Sequence, residues 1–136
     1  MNLYSSLVSL HVLAAILGLG PLTALALASA LPSPGWSLAW FERLLRVVGW
    51  GLGLMLVTGI LLVAQTHGAL GRTMWMKLAV GLFLVLGALQ GVVRRRVRRS
   101  RVAAPDGPLP AGMAPLLWTM CGLVAVITYL MEAKPW

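Results

Sequence analysis

The chain has 136 residues, of which 60% are hydrophobic and 10% are charged. Soluble domains carry about 25% charged residues, so this composition excludes an ordinary soluble fold and indicates a membrane protein. The formal net charge is +8, because 11 Lys and Arg stand against three Asp and Glu. Such an imbalance points to anionic partners, either lipid headgroups or nucleic acid.

Four apolar segments approach or exceed the length of about 20 residues that a helix needs to cross a bilayer. They comprise residues 7–31, 44–64, 74–93 and 115–131. The connections are short and contain Pro and Gly, as turns between antiparallel neighbours do. We therefore expect an all-α fold, an integral membrane four-helix bundle with antiparallel up-down topology. It would form a single transmembrane domain over residues 1–136, with residues 94–112 as a basic cytoplasmic loop.

Basic residues are distributed unevenly between the two ends of these segments. Eight arginines follow the first and third segments, and only Arg72, Lys77 and Lys134 lie on the other side. The positive-inside rule places the eight in the cytoplasm. Both termini are then expected outside the cytoplasm, in what is predicted to be a bacterial inner membrane.

The arginine-rich stretch from Arg94 to Arg101 is the main source of the positive charge. It directly follows a membrane segment, and no aromatic residues interleave with it to stack on bases. Such a run usually sets topology and contacts anionic headgroups. We therefore predict a lipid bilayer with anionic headgroups as the partner of this run, and no nucleic acid.

Small residues recur at helical spacing in every segment, as at membrane helix contacts where backbones approach closely. This pattern predicts a compact bundle and is compatible with a homo-oligomer or a membrane protein partner. The predicted contact residues are Ala14, Ala15 and Gly18 in the first segment, Gly49 and Gly53 in the second, Gly81, Ala88 and Gly91 in the third, and Gly122 and Ala125 in the fourth.

His11 is the most informative residue, because it is an ionisable side chain inside an apolar run. Such a group is costly at membrane depth and marks a candidate functional site. It could instead only hydrogen-bond a neighbouring helix. The topology brings further polar side chains to the same outer half: Lys77, Glu132 and His67. Lys77 either points inward, paired with Glu132 or an anionic ligand group, or extends to the membrane surface.

Methionines near the outer ends of the segments add possible metal ligands. Thioether with imidazole suits Cu(I), and His with Met can ligate haem iron. The candidate metal ligands are therefore His11, His67, Met74, Met76 and Met131. Methionine is also a common apolar filler of helical cores, which leaves a purely structural role open.

An ordered set of short motifs runs along the chain: the helix beginning at His11, the Thr58-Gly59 pair, and Gly71-Arg72 followed by Lys77-Leu78 and Gln90. Their residues and their order resemble the CopD-like copper-resistance membrane domain. The histidine on helix one and the lysine on helix three also resemble the HemJ-like protoporphyrinogen oxidases, and the opening pattern is similar to DUF2269-type proteins. The HemJ-like resemblance implies that His11 binds haem b and that Lys77 is catalytic.

Gly18 stands where CopD-like chains usually carry Trp, which either leaves room for a flat ligand beside His11 or lets a neighbouring helix approach more closely. We expect a porphyrin in an apolar slot beside Ala14, Ala15 and Gly18, with Arg72 or Lys77 near a propionate. The leading hypothesis is a haem b protein with a redox or porphyrin-related role, and we favour a binding protein over an enzyme. The alternatives are copper handling or transport, and a structural membrane subunit without a ligand.

Overall fold

The structure is a computed structural model that describes residues 2–31, 37–65 and 72–133. These residues form four helices, α1 (Leu3–Ala30), α2 (Leu38–Gln65), α3 (Met74–Ala103) and α4 (Met113–Ala133). All four are long and apolar enough to cross a membrane. The predicted all-α four-helix bundle is confirmed, and the chain is an integral membrane protein.

Local sequence explains where the helices start. The Asn2 side chain accepts a hydrogen bond from the Ser5 amide at 2.9 Å and caps α1. Ser37 does the same for the Trp40 amide at the start of α2, at 3.2 Å. Both side chains replace the partners that first-turn amides lack. Before α4, Gly112 adopts a φ of 74°, a backbone conformation that glycine accepts without strain.

The helices form a ring in which each packs against its two neighbours in the order α1, α2, α3, α4 and back to α1. The contact between α1 and α2 is the most extensive. Most of the fully buried large side chains lie in the half predicted to be cytoplasmic, among them Leu22, Phe41, Leu45, Val93 and Leu117. The interior is closed there, so any opening between the four helices must lie in the other half.

Helix α3 is longer than the sequence predicts. The arginine-rich stretch was expected to be a loop, but the helix continues through it to Ala103. Val93 and Val97 are fully buried one turn apart and hold this extension against the bundle. Arg101 also donates to Glu42 of α2 at 2.5 Å. The connection to α4 therefore begins only at residue 104.

Helices α1 and α2 cross at two glycines. A Cβ added to Gly18 would lie 3.3 Å from the carbonyl carbon of Gly51. A Cβ added to Gly51 would lie 2.5 Å from the Gly18 amide nitrogen, closer than real Cβ atoms approach. Small residues at both positions let the two backbones touch, as in membrane helix pairs generally. The predicted close packing of α1 is thus correct at Gly18, and its partner is Gly51.

Of the small residues predicted to form contacts in the other helices, Gly49 faces α3, where an added Cβ would lie 3.7 Å from Gln90 Nε2, but most of the others make no such contact. Gly53, Gly81 and Gly122 have no atom within 4 Å of an added Cβ, and Ala88 and Ala125 are exposed. On α3 the packed face is instead formed by Trp75, Ala79, Leu86, Gln90, Val93 and Val97. Large side chains and Ala79 fill the interior there, whereas Gly81 and Ala88 face outward.

Candidate functional site

The site is built on the hydrogen bond between His11 of α1 and Thr58 of α2. His11 Nδ1 lies 2.7 Å from Thr58 Oγ1. Thr58 is 1% exposed, whereas the histidine is half-buried. Gly59, the next residue, leaves room for the imidazole, since a Cβ there would lie 3.5 Å from His11 Cε1. The helix crossing at Gly18 and Gly51, two turns away on each helix, brings these residues together.

The surroundings of Thr58 favour the His11 tautomer that carries its proton on Nδ1. Its hydroxyl lies 2.8 Å from the Leu54 carbonyl oxygen and 3.2 Å from that of Met55, so it donates its single hydrogen to the backbone. In the tautomer that carries its proton on Nδ1, His11 then donates to the Thr58 oxygen. A neutral imidazole with its proton on Nδ1 has a free lone pair on Nε2. The backbone of Met55 is a second hydrogen-bond partner of the His11 ring.

His11 lines a cleft of about 430 Å³ between the four helices. This volume falls in the range of about 300–1,000 Å³ typical of small-molecule and cofactor sites. The walls are mostly aliphatic and come from every helix, including Ile16, Leu52, Phe83 and Ile127. The cleft is therefore largely apolar, with the His11 imidazole in its wall.

A few polar and sulfur-containing side chains complete the lining. Met55 and Met131 supply thioethers, and Thr128 and Glu132 supply oxygens. The Thr128 hydroxyl donates to the Val124 carbonyl at 3.0 Å, so its hydrogen is already used. Glu132 is in the last turn of α4 and is exposed, which puts a carboxylate at the outer end of the cleft. The lining thus offers one imidazole, two thioethers and one carboxylate.

Gly18 does not line the cleft, contrary to prediction. It is buried against the Gly51 backbone, and the volume left by the absent side chain is taken by the neighbouring helix. Ala14 is also fully buried and does not line the cleft, whereas Ala15 does. The opening is therefore on the face of α1 that carries Ala15 and Leu19, to one side of the predicted slot.

Of the two orientations considered for Lys77, the structure shows the outward one and not the inward pairing with Glu132. The side chain is exposed, does not line the cleft, and makes no ion pair with Glu132 in the described part of the chain. The reason is helical register. Lys77 follows the buried Trp75 by two residues, which places it about 200° around the helix. Gly81 and Ala88 share that outward face.

The other predicted ligands divide into three groups. Arg72 and Met74 are exposed and do not line the cleft. Met76 is half-buried but is also not part of the lining. His67 lies outside the described residues. Only His11 and Met131 of the predicted ligands are therefore brought to one place.

Sequence reasoning missed the roles of Thr58 and Met55. Thr58 was noted only as part of a family pattern. The signal that could have identified it was a hydroxyl group on the adjacent helix at the same depth as His11. Met55 lies one turn before Thr58 on α2 and so points toward the same interior. Among the described residues, no group of three or more His, Cys, Asp or Glu could hold a metal ion.

Comparison with protein-family models, curated proteins and solved structures finds no match for this chain. The geometry of the cleft and the residues that carry the resemblance described above are therefore the basis for proposing a function.

Proposed function

We propose that this integral membrane protein binds haem b in the apolar cleft, with His11 Nε2 as an axial ligand. The observation that carries the proposal is the hydrogen bond from His11 Nδ1–H to Thr58. Histidines that bind metals almost always donate their other ring nitrogen's proton to a second group, which fixes the tautomer and the ring orientation. Thr58 supplies that group inside the bundle.

The shape and polarity of the cleft favour a flat, largely apolar ligand. Aliphatic side chains and Phe83 line most of it, and its volume is that of a cofactor site. Bound haem would supply one-electron redox chemistry. Met55 and Met131 line the cleft with His11, so their thioethers could help to hold the haem iron.

The charges at the outer end constrain how such a ligand would be placed. Glu132 would repel the haem propionates, so they are expected to avoid the end of α4. Arg72 and Lys77 are exposed at the start of α3, at the same end of the bundle, where they supply positive charge. Because Lys77 does not line the cleft, we favour electron transfer or haem binding over catalysis by that lysine.

The proposed orientation puts this cleft in the outer leaflet, with both termini outside the cytoplasm. The support is the uneven distribution of arginines, including the helical extension of α3. A bacterial inner membrane is the setting that this distribution favours. The cleft would then open on the side from which periplasmic redox partners or extracellular porphyrins arrive.

An absorption spectrum of protein purified from haem-supplied cells tests the proposal. The wild type should show a Soret band, and His11→Ala should lose it while the bundle still folds. Thr58→Val should weaken haem binding by about 10–100-fold, the effect typical of removing such a supporting group. Gly59→Ala is the matched control, because an added Cβ there makes only ordinary contact with His11. A wild type without Soret absorbance would overturn the proposal.

Copper binding is the second candidate, supported by one observation: two thioethers and an imidazole line the same cleft. Soft sulfur ligands with imidazole suit Cu(I). Here Met55→Leu combined with Met131→Leu should abolish Cu(I) binding, measured by competition with a chromogenic Cu(I) chelator. If that double variant binds Cu(I) as the wild type does, this cleft is not a copper site.

A further inference from the structure

The helical extension of α3 presents a second opening, far from the His11 cleft. Arg95, Arg98 and Arg99 line it together with Val102 and Ala103, and its volume is about 520 Å³. Arg101 is paired with Glu42. That pair is the one salt bridge within residues 2–31, 37–65 and 72–133, so none of the three arginines of this opening is ion-paired there, although the charge of Arg98 also acts on Glu42.

Helical register explains why these three arginines act together. With about 100° per residue, Arg95, Arg98 and Arg99 lie on the face opposite the buried Val93 and Val97. Val102 belongs to the same face and is 80% exposed. The face therefore points away from the bundle, toward surrounding lipid, and combines positive charge with an exposed apolar side chain.

The depth of this face matches the headgroup layer. The apolar part of α3 from Met74 to Val93 spans about 30 Å, the thickness of the hydrocarbon core. Arg95 to Val102 occupies about 10 Å beyond it, where phosphates lie. Side chains on a helix incline toward its N-terminus, which for α3 is back toward the membrane. The guanidinium groups thus lean into the phosphate layer.

The same outward face of α3 carries small residues within the hydrocarbon core. Gly91 and Ala88 precede Arg95 by one and two turns, and Ala88 is exposed. An added Cβ on Gly91 would meet no atom within 4 Å. Because neither position carries a side chain larger than a methyl group, we infer a shallow groove on this face that leads to the arginines and that no helix of the described bundle fills.

We propose that this face is a binding site for an anionic phospholipid. The phosphate would lie among Arg95, Arg98 and Arg99, and an acyl chain would lie along the groove at Ala88 and Gly91. Guanidinium groups suit phosphate oxygens because they offer paired donors in a plane. The groove explains why these small residues do not contact another helix of the bundle. The proposal is independent of what His11 binds.

Native mass spectrometry of protein released from nanodiscs tests it. The nanodiscs contain phosphatidylcholine with a minor share of phosphatidylglycerol of the same acyl chains, so only the headgroup differs. The wild type should retain phosphatidylglycerol preferentially. Replacing Arg95, Arg98 and Arg99 together with Gln should reduce that retention by about tenfold or more, since each arginine near the surface contributes about fivefold.

A matched variant separates this site from general charge. Replacing Arg43, Arg46 and Arg96 with Gln removes the same charge from other exposed arginines, and should leave retention close to that of the wild type. Equal loss in both triple variants would overturn the proposal. Gly91→Leu should lower retention severalfold through the groove, whereas Gly53→Leu, also open to an added side chain, should not.

Two further arms identify the source of the phosphate. Inorganic phosphate added to protein in pure phosphatidylcholine nanodiscs should not raise its melting temperature, whereas phosphatidylglycerol should. Equal stabilisation by inorganic phosphate would overturn the assignment to lipid. Binding of a single-stranded RNA would also overturn it, if the arginine triple variant abolishes RNA binding but leaves phosphatidylglycerol retention unchanged.

Discussion

Gly51→Ala is the perturbation whose effect the structure defines most sharply. The added Cβ would lie 2.5 Å from the Gly18 amide nitrogen and 3.1 Å from the Leu17 carbonyl carbon, both backbone atoms that cannot rotate away. Ordinary contact begins at 3.4 Å, so α1 and α2 must separate by about 0.9 Å. Overpacking of this kind costs about 1–3 kcal/mol of folding free energy.

The same displacement reaches the His11 site. Thr58 follows Gly51 by seven residues, and His11 precedes Gly18 by seven, so both pairs lie in one interface two turns apart. If α1 moves as a rigid body, the bond between His11 Nδ1 and Thr58 Oγ1 lengthens from 2.7 Å to about 3.6 Å, which is no longer a hydrogen bond. Its loss adds about 0.6 kcal/mol, the average for such bonds in membranes.

Reversible unfolding in bicelles, followed by steric trapping or SDS titration, measures the free energy of each variant. Gly51→Ala should be the most destabilised. Gly18→Ala should be intermediate, because its Cβ would meet the Gly51 carbonyl carbon at 3.3 Å. Gly53→Ala should be neutral, since nothing lies within 4 Å. If Gly51→Ala unfolds with the same free energy as Gly53→Ala, the helices do not touch at these glycines.

Two other predictions concern Gln90 and the orientation in the membrane. Gln90 Nε2 donates to the Leu45 carbonyl at 2.6 Å, while its buried Oε1 has no partner within the described residues. Gln90→Leu should therefore change the unfolding free energy by less than about 1 kcal/mol. Gln90→Glu should destabilise the protein by several kcal/mol, because it places a carboxyl group against the Leu45 carbonyl. Comparable stability of the two variants would contradict this reading. For orientation, the variant Arg99→Cys in a Cys121→Ser background should react with an impermeant maleimide only after the cytoplasmic side is made accessible. Labelling from outside intact cells would contradict the proposed topology.

The helices were predictable because four apolar segments separated by Pro and Gly leave few other folds for a membrane chain. Their ends were less predictable. The arginine-rich stretch looks like a loop by composition, but arginine is a good helix former, and the burial of Val93 and Val97 keeps the helix going. Recognising that pair as buried required knowing which face of α3 meets the bundle.

The site was predictable only in part, for the same reason. His11 stood out as an ionisable group in an apolar run, and this property does not depend on helix rotation. Lys77 and Gly18 do depend on it. Small residues in lipid can mark either a helix contact, as at Gly18 and Gly51, or an outward groove, as at Ala88 and Gly91. Sequence alone does not distinguish these two uses.

Axial ligation by His11 is the central claim, and the small number of histidines allows a direct measurement. The chain has two histidines, so His67→Gln leaves His11 as the only one. We would label this variant with ¹⁵N-histidine, purify it with haem, and record pulsed EPR spectra of the ferric protein. We expect ¹⁵N hyperfine coupling from an imidazole nitrogen bound to iron. Haem that is bound without such coupling, or no haem bound by this variant or the wild type, would contradict it.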